Sequence, residues 1–322
     1  MLYNRGEGEN MEMMKNLSII FLSIFLESLP FLLLGAIISS LIETYISNEK
    51  MASFIPKNKI LGSIVGVFLG FFLPACDCAV IPVSKRLLKK KVPIHVAVSF
   101  MLASPIINPV VLLSTYHAFY QTNPEIFWLR LILGIVIALI VGILMGTLFG
   151  KKEVIRNSLI EEEECSCHKD IEEGFEDLVD ECEHCHSHSK GISSVLKHTA
   201  YDFFEVVRYL MFGAFLASLV QVFVPRDALL LFHKNSILSV FVLMIFAYGV
   251  SLCSTSDSFV GKTFLSTFHT GGVVAYLLLG PMIDIKNTIV LMGNYKKKFV
   301  WTLIFMIFMV VFLCSVLVVG LL

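Results

Sequence analysis

The chain has 322 residues, of which 56% are hydrophobic and only 16% charged, and its mean hydropathy is +0.80. A soluble domain of this length carries nearly half again as many charges, so an ordinary water-soluble enzyme is a poor fit. The formal net charge of −1 gives no electrostatic pull toward nucleic acid.

Residues 1–16 form a polar N-terminal tail holding Glu7, Glu9 and Glu12, the wrong charge for the start of a secretory signal peptide. The first apolar run is therefore expected to stay in the membrane. Runs long enough to cross a bilayer fall at 17–46, 61–83, 93–119, 126–149, 201–224, 236–254, 272–292 and 299–321. Lipid offers the backbone no hydrogen-bond partner, so these runs are predicted to be helices, or broken helices buried in protein. The alternating ten-residue strands of a membrane β-barrel do not occur. The expected fold is an all-α polytopic membrane protein with about eight transmembrane helices, set in the cell membrane and in contact with its lipid.

Charge predicts the topology. Lys85-Arg86-Leu87-Leu88-Lys89-Lys90-Lys91 and the later Lys151, Lys152 and Arg156 belong in the cytoplasm by the positive-inside rule, with Gln121-Thr122-Asn123-Pro124-Glu125 outside. Eight spans then put the N-terminus inside. The same count leaves Lys296-Lys297-Lys298 outside, against the rule, unless the second half contains a re-entrant segment.

The two halves resemble each other. Glu27 aligns with Glu205, Cys76 with Cys253 and Asn108 with Asp284, at an offset drifting only from 178 to 176. The implied organisation is a first membrane repeat (17–150), a linker (151–197) and a second membrane repeat (198–322), with two pseudo-symmetric four-helix repeats broken near the midplane. Parallel and inverted arrangements are both compatible with the pattern.

Ionisable and polar side chains inside apolar runs are the functional candidates. Glu27 and Glu205 lie ten and four residues into their runs and are candidates for proton coupling. Pro74-Ala75-Cys76-Asp77-Cys78, closed by Pro82, breaks a span and sets two thiols and a carboxylate at membrane depth. Adjacent thiols suit a soft metal or metalloid. The matching segment carries Cys253 and Asp257. A further pair of interruptions places Ser104 and Asn108 in one half and Asp284 in the other. Such paired breaks point to a transport site. Cys76, Asp77, Cys78, Ser104, Asn108, Cys253, Asp257 and Asp284 are therefore the candidate substrate-binding residues.

The run Pro74-Ala75-Cys76-Asp77-Cys78, then Pro82, the basic loop and Ala103-Ser104-Pro105-Ile106-Ile107-Asn108-Pro109 resembles the signature of the ArsP-like predicted-permease family. The resemblance covers nearly the whole chain. It implies a permease, and its best-understood members export trivalent organoarsenicals such as methylarsenite. Many relatives read Cys-Ser-Cys-Gly where this chain has Cys76-Asp77-Cys78-Ala79, which sets a charge beside the thiols.

The linker is acidic and rich in Cys and His. Cys165, Cys167, His168, Cys182, His184, Cys185, His186 and His188 supply more than the four ligands of a structural zinc site. Zinc or another soft metal is the expected occupant, although such tracts also act as loose metal scavengers. Transport itself requires no cofactor. Gly261-Lys262-Thr263 lacks the upstream glycine of a phosphate-binding loop, since Ser256 stands there, so nucleotide binding is not expected. The preferred reading is secondary-active efflux of a soft, thiol-reactive small molecule or metalloid. The alternatives are a divalent-cation permease and a non-transporting membrane metal sensor or assembly factor. A homo-oligomer is compatible with each.

Overall fold

The structure, a computed structural model, describes residues 3–45, 56, 58–72, 77–150, 154–155, 192–223 and 235–321. Twelve helices account for nearly all of these residues. The first six are α1 (Tyr3–Tyr45), α2 (Lys59–Phe72), α3 (Asp77–Lys89), α4 (Ile94–Ile107), α5 (Pro109–Phe119) and α6 (Glu125–Phe149). The second six are α7 (Ile192–Phe223), α8 (Ser236–Val250), α9 (Ser256–Phe264), α10 (Thr270–Met282), α11 (Ile285–Asn294) and α12 (Lys297–Leu321). In each set a long helix is followed by four short ones and then a helix of 25 residues.

Among the described residues, five segments are long and apolar enough to cross a membrane: Glu12–Ile42, Glu125–Phe149, Thr199–Phe223, Thr270–Asn294 and Lys297–Gly320. The pair α4 and α5, bent by 40°, makes a sixth. Of the eight predicted runs, 61–83 covers parts of two short helices, α2 and α3, and 236–254 holds one short helix, α8, which ends at Val250. The residues expected to form a separate polar tail continue into α1, and α7 begins at Ile192, inside the stretch assigned to the linker.

Close helix contacts establish direction. Gly62 meets His95, Gly66 meets Val96 and Phe100, and Gly70 meets Ala103 and Ser104, so α2 and α4 run parallel. The helix between them, α3, must therefore return to the face that α2 left. Its neighbour α1 runs with it: Ser28 meets Cys78 near its start, and Ser39 and Arg86 share Asp202 near its end. Antiparallel to α4 lies α6, with Gly134 on Ile106 and Gly146 on His95. The turn at 89–93 and the end of α6 thus share one face of the bundle, here called the linker face. The start of α1 lies at the opposite face.

The long helix of the second set runs the opposite way to that of the first. Antiparallel to α1, α7 puts Ser39 beside Asp202 and Phe21 beside Phe215. Gly272 packs on Ser239 and Leu243, and Phe246 stacks on Tyr276, so α8 and α10 run parallel and α9 doubles back. Gly271 faces Ser315 and Val319, which puts the start of α10 beside the end of α12. Lys296 N–H donates to the Val154 carbonyl at 2.9 Å, and Phe149 meets Phe299 edge-on, so Lys296-Lys297-Lys298 belongs to the linker face. The lysine conflict disappears because α8 and α9 form an out-and-back hairpin and not a span.

Local chemistry explains the breaks. Asn108 precedes Pro109, whose ring disfavours helical geometry in the preceding residue, and Asn108 sits at φ −55, ψ 131. Pro109 then opens α5, and the Asn108 side chain accepts from Val110 N–H. At the end of α8, Ser251 adopts left-handed geometry with φ 51, a costly conformation for a residue with a Cβ.

At Gly66 an added Cβ would collide with the Val96 carbonyl, whereas at Gly320 it would meet nothing within 4 Å. Gly66→Leu should lower stability by about 1–3 kcal/mol, read as an earlier thermal unfolding midpoint in detergent, while Gly320→Leu should leave the midpoint unchanged.

Candidate solute-binding site

The interruptions gather inside the bundle. Helices α3, α5, α9 and α11 all begin there, and the N-terminus of a helix presents N–H groups without intrahelical partners. Acids and an amide occupy those starts. Asp77 opens α3, Asp257 lies in the first turn of α9, and Asp284 caps α11, accepting from Asn287 N–H at 2.6 Å. Carboxylates are favourable at this end of the helix dipole. Part of their presence is therefore structural.

These acids need counter-charges in a medium without bulk water. Lys286 lies between two of them, with Nζ 3.3 Å from Asp77 and 3.7 Å from Asp284, all three buried. The Asn287 amide also donates to Asp77 at 3.0 Å. Residues 77 and 286 belong to different halves, so the cluster ties the tip of one out-and-back hairpin to the opposite half. A reciprocal tie joins α9 to the first half. Ser258 hydrogen-bonds Thr115 at 3.0 Å, and Ser114 donates to the Thr255 carbonyl at 2.8 Å.

Arg130 completes that second tie. It is fully buried, donates to Thr115 and Ser258 at 2.7 Å each, and reaches the Ser254 carbonyl at 3.3 Å. Asp257 nearby accepts from the Tyr276 hydroxyl at 3.0 Å. Its carboxylate fits only because residue 280 is glycine: a Cβ there would stand 2.8 Å from Oδ2.

A cavity of about 200 Å³ opens beside the first cluster. Asp77, Cys78, Cys253 and Lys286 line its polar side, with Glu27 and Ser28 from α1 and Gln221 and Ser251 adjoining. Cys78 is buried against the Ser28 hydroxyl at 3.9 Å, and Cys253 lies 3.3 Å from the Thr255 hydroxyl. Its volume lies below the range of drug-sized pockets and suits a small solute.

The sequence-nominated residues divide accordingly. Asp77, Cys78, Cys253 and Glu27 meet at the cavity. Asp284 stands one ion pair behind it. Asp257 belongs to the Arg130 cluster, Asn108 is a helix cap, and Ser104 is buried where α2 touches α4. Glu205 is engaged by Lys85 at 2.8 Å, on α3 and away from the cavity. Cys76 lies outside the described residues, as do all eight linker candidates: Cys165, Cys167, His168, Cys182, His184, Cys185, His186 and His188. Among the described residues no group of three or more His, Cys, Asp or Glu side chains is placed to hold a metal ion. Lys286 and Arg130 were missed, although each is a charge inside an apolar run and was open to the same argument that singled out Glu27.

Residues 13–320 match the model of the ArsP_1 family, described as predicted permeases. The chain belongs to this predicted-permease family. A Streptococcus mutans protein whose name describes a subunit of a two-component membrane permease complex is 38% identical over 284 residues, covering 87% of each chain. The UPF0718 protein YcgR of Bacillus subtilis is 37% identical over 311 residues, 94% of this chain and 97% of that one. No solved structure matches the chain. A multi-pass membrane permease follows from the family and the apolar helices together.

The buried ion cluster is testable without a substrate. Lys286→Met leaves two carboxylates uncompensated and should cost about 3–5 kcal/mol. Adding Asp77→Asn should return much of that loss, measured as thermal unfolding midpoints of the two variants in detergent.

Proposed function

We propose that this permease carries a small, soft, thiol-reactive solute, of the class of trivalent organoarsenicals, through a cavity between two inverted repeats. The observation that carries the reading is that Cys78 and Cys253, from the interrupted segments of opposite halves, line one cavity. A monomethylated trivalent arsenical has two exchangeable hydroxyls. Each thiol replaces one, forming an As–S bond and releasing a water molecule, so no buried thiolate has to persist. Cys76 supplies a further thiol in the same segment. Transport is driven by an ion gradient, outward from the cytoplasm.

The inverted-repeat reading rests on helix directions. Each half has three crossing units and one out-and-back hairpin, and the hairpins enter from opposite faces. This gives six crossings, with both ends of the described chain on one side and the linker on the other. Lys89, Lys90, Lys91 and Lys296 to Lys298 all belong to the linker face, so the positive-inside rule makes that face cytoplasmic. The N-terminus is then outside, opposite to the result of an eight-span count. Residues of the linker should react with a membrane-impermeant maleimide in inside-out vesicles but not in intact cells, and an N-terminal epitope should show the reverse.

A divalent-cation permease is less well supported, because Lys286 puts an ammonium group beside the carboxylates that such a cation needs. A metal sensor would need the linker and not the intramembrane thiols. In this reading the linker is an accessory that captures zinc or the solute, and a second subunit or a second copy completes the assembly. Deleting residues 160–190 should weaken resistance while leaving measurable transport.

Uptake of methylarsenite into inside-out vesicles tests the main reading. Cys78→Ser and Cys253→Ser should each abolish uptake at normal protein abundance, because serine keeps the size and loses the soft ligand. Cys314→Ser should have no effect. Full transport by the Cys78→Ser, Cys253→Ser double variant would exclude thiol ligation.

A further inference from the structure

The two halves are alike in sequence order but not in how their hairpins close. On the linker side, the returning helix α3 is sealed in place. All of its residues from Asp77 to Leu87 are buried, and it packs on α1, α4, α7 and α11. Two ion pairs latch it to α7: Lys85 to Glu205 at 2.8 Å, and Arg86 to Asp202, with Nη2 to Oδ1 at 2.6 Å. Ser39 of α1 also donates to Asp202 at 3.0 Å, so the latch joins both halves.

On the opposite side, α9 packs on α5 and α10 and has no comparable packing on α1 or α7. Phe259 is 56% exposed, and Lys262 is only partly buried. The cavity opens where that packing is missing. Ile19, Ile20, Ser23 and Ile24 line it from the early part of α1, and Gln221 from the last turn of α7, which are the ends remote from the linker face.

The residues for a matching latch are nevertheless present. Ser84-Lys85-Arg86-Leu87-Leu88 aligns with Gly261-Lys262-Thr263-Phe264-Leu265 at an offset of 177, the same offset that relates Cys76 to Cys253. Lys262 is therefore the counterpart of Lys85. Glu27 is the counterpart of Glu205, and each glutamate lies 18 residues before the end of its helix, at Tyr45 and Phe223 respectively. In this structure the first pair is made. Among the described residues neither the Glu27 nor the Lys262 side chain has a hydrogen bond or an ion pair.

We propose that Glu27 and Lys262 form the second gate of the transport cycle, made only when the cavity closes to the outside and the Lys85–Glu205 gate opens. The inference rests on the inverted-repeat permease reading and adds the residues that alternate. An inverted repeat exchanges the conformations of its halves, so the contacts of α3 with α1 and α7 foreshadow those of α9 with α7 and α1. Closing would bring α9 onto both long helices and Lys262 to Glu27. Each gate stabilises the state in which it is made, so losing one shifts the population toward the other. Glu27 is thus a gating residue, and its place at the cavity rim follows from the gate being open.

Cys253 is the native reporter, because it lines the cavity and is only partly buried. Its labelling by a membrane-impermeant maleimide can be read by peptide mass spectrometry in right-side-out and inside-out vesicles, with no solute present. Glu205→Gln, and separately Lys85→Gln, should slow labelling from the outer side by about tenfold and raise it from the inner side. Adding Glu27→Gln to either variant removes the second gate and should return outer labelling to near the native rate. Outer labelling that stays unchanged or rises in both single variants overturns the proposal, as does a loss that Glu27→Gln fails to reverse. A variant that merely unfolds exposes Cys253 to both sides and counts as such a rise. Methylarsenite uptake that survives loss of both thiols would sink the solute assignment and leave these labelling ratios as expected, so the two failures are distinguishable.

Discussion

Interrupted backbone inside an apolar bundle is the constraint from which the rest of this structure follows. A helix that stops at membrane depth exposes N–H and carbonyl groups that lipid cannot satisfy. Asp284 at the start of α11 and Asn108 at the start of α5 each accept from an exposed N–H, and Asp77 and Asp257 place negative charge at the starts of α3 and α9. Those acids then create a second demand, for cations that can be buried beside them. Lys286 meets it for Asp77 and Asp284, and Arg130 is the cation whose field reaches Asp257. Because Lys286 reaches Asp77, and Arg130 reaches toward Asp257, from the other half of the chain, this pairing also joins the halves.

This coupling makes a solute site economical. Groups that sit at the breaks for backbone reasons are also polar groups at that depth, and a cavity beside them inherits their chemistry together with that of Glu27, Ser28 and Gln221 from the long helices. Charge alone does not decide what enters, since Lys286 offsets much of the charge of Asp77 and Asp284. In the proposed function the thiols of Cys78 and Cys253 supply selectivity of a different kind, by bond formation with a soft centre.

The unequal closure of the two hairpins gives the bundle a direction. Burying a lysine and an arginine with two carboxylates on one side is costly unless the geometry is good, and here the pairs are at 2.8 and 2.6 Å with Ser39 adding a donor. The other side lacks this investment. On the inverted-repeat proposal, this unequal closure marks one of two alternating states.

Local features were open to a sequence reading. Membrane character and the breaks at Asn108-Pro109 and beside Cys253 depend on residue type and immediate neighbours, and of the nominated thiols and acids the structure brings Glu27, Asp77, Cys78 and Cys253 to one cavity. The family, too, was legible in the motif around Cys76 to Cys78. What hydropathy could not distinguish is a run that crosses from one that returns, because both bury the same apolar length and differ only in where the far end lies. Parallel packing of α2 with α4, and of α8 with α10, decided that question and moved Lys296 to Lys298 to the linker face. The partners of the acids were equally hidden: Asp77 and Lys286 are more than two hundred residues apart, and Lys85 and Glu205 more than one hundred. Pairing energies of that kind belong to the folded chain, where distance in space replaces distance in sequence.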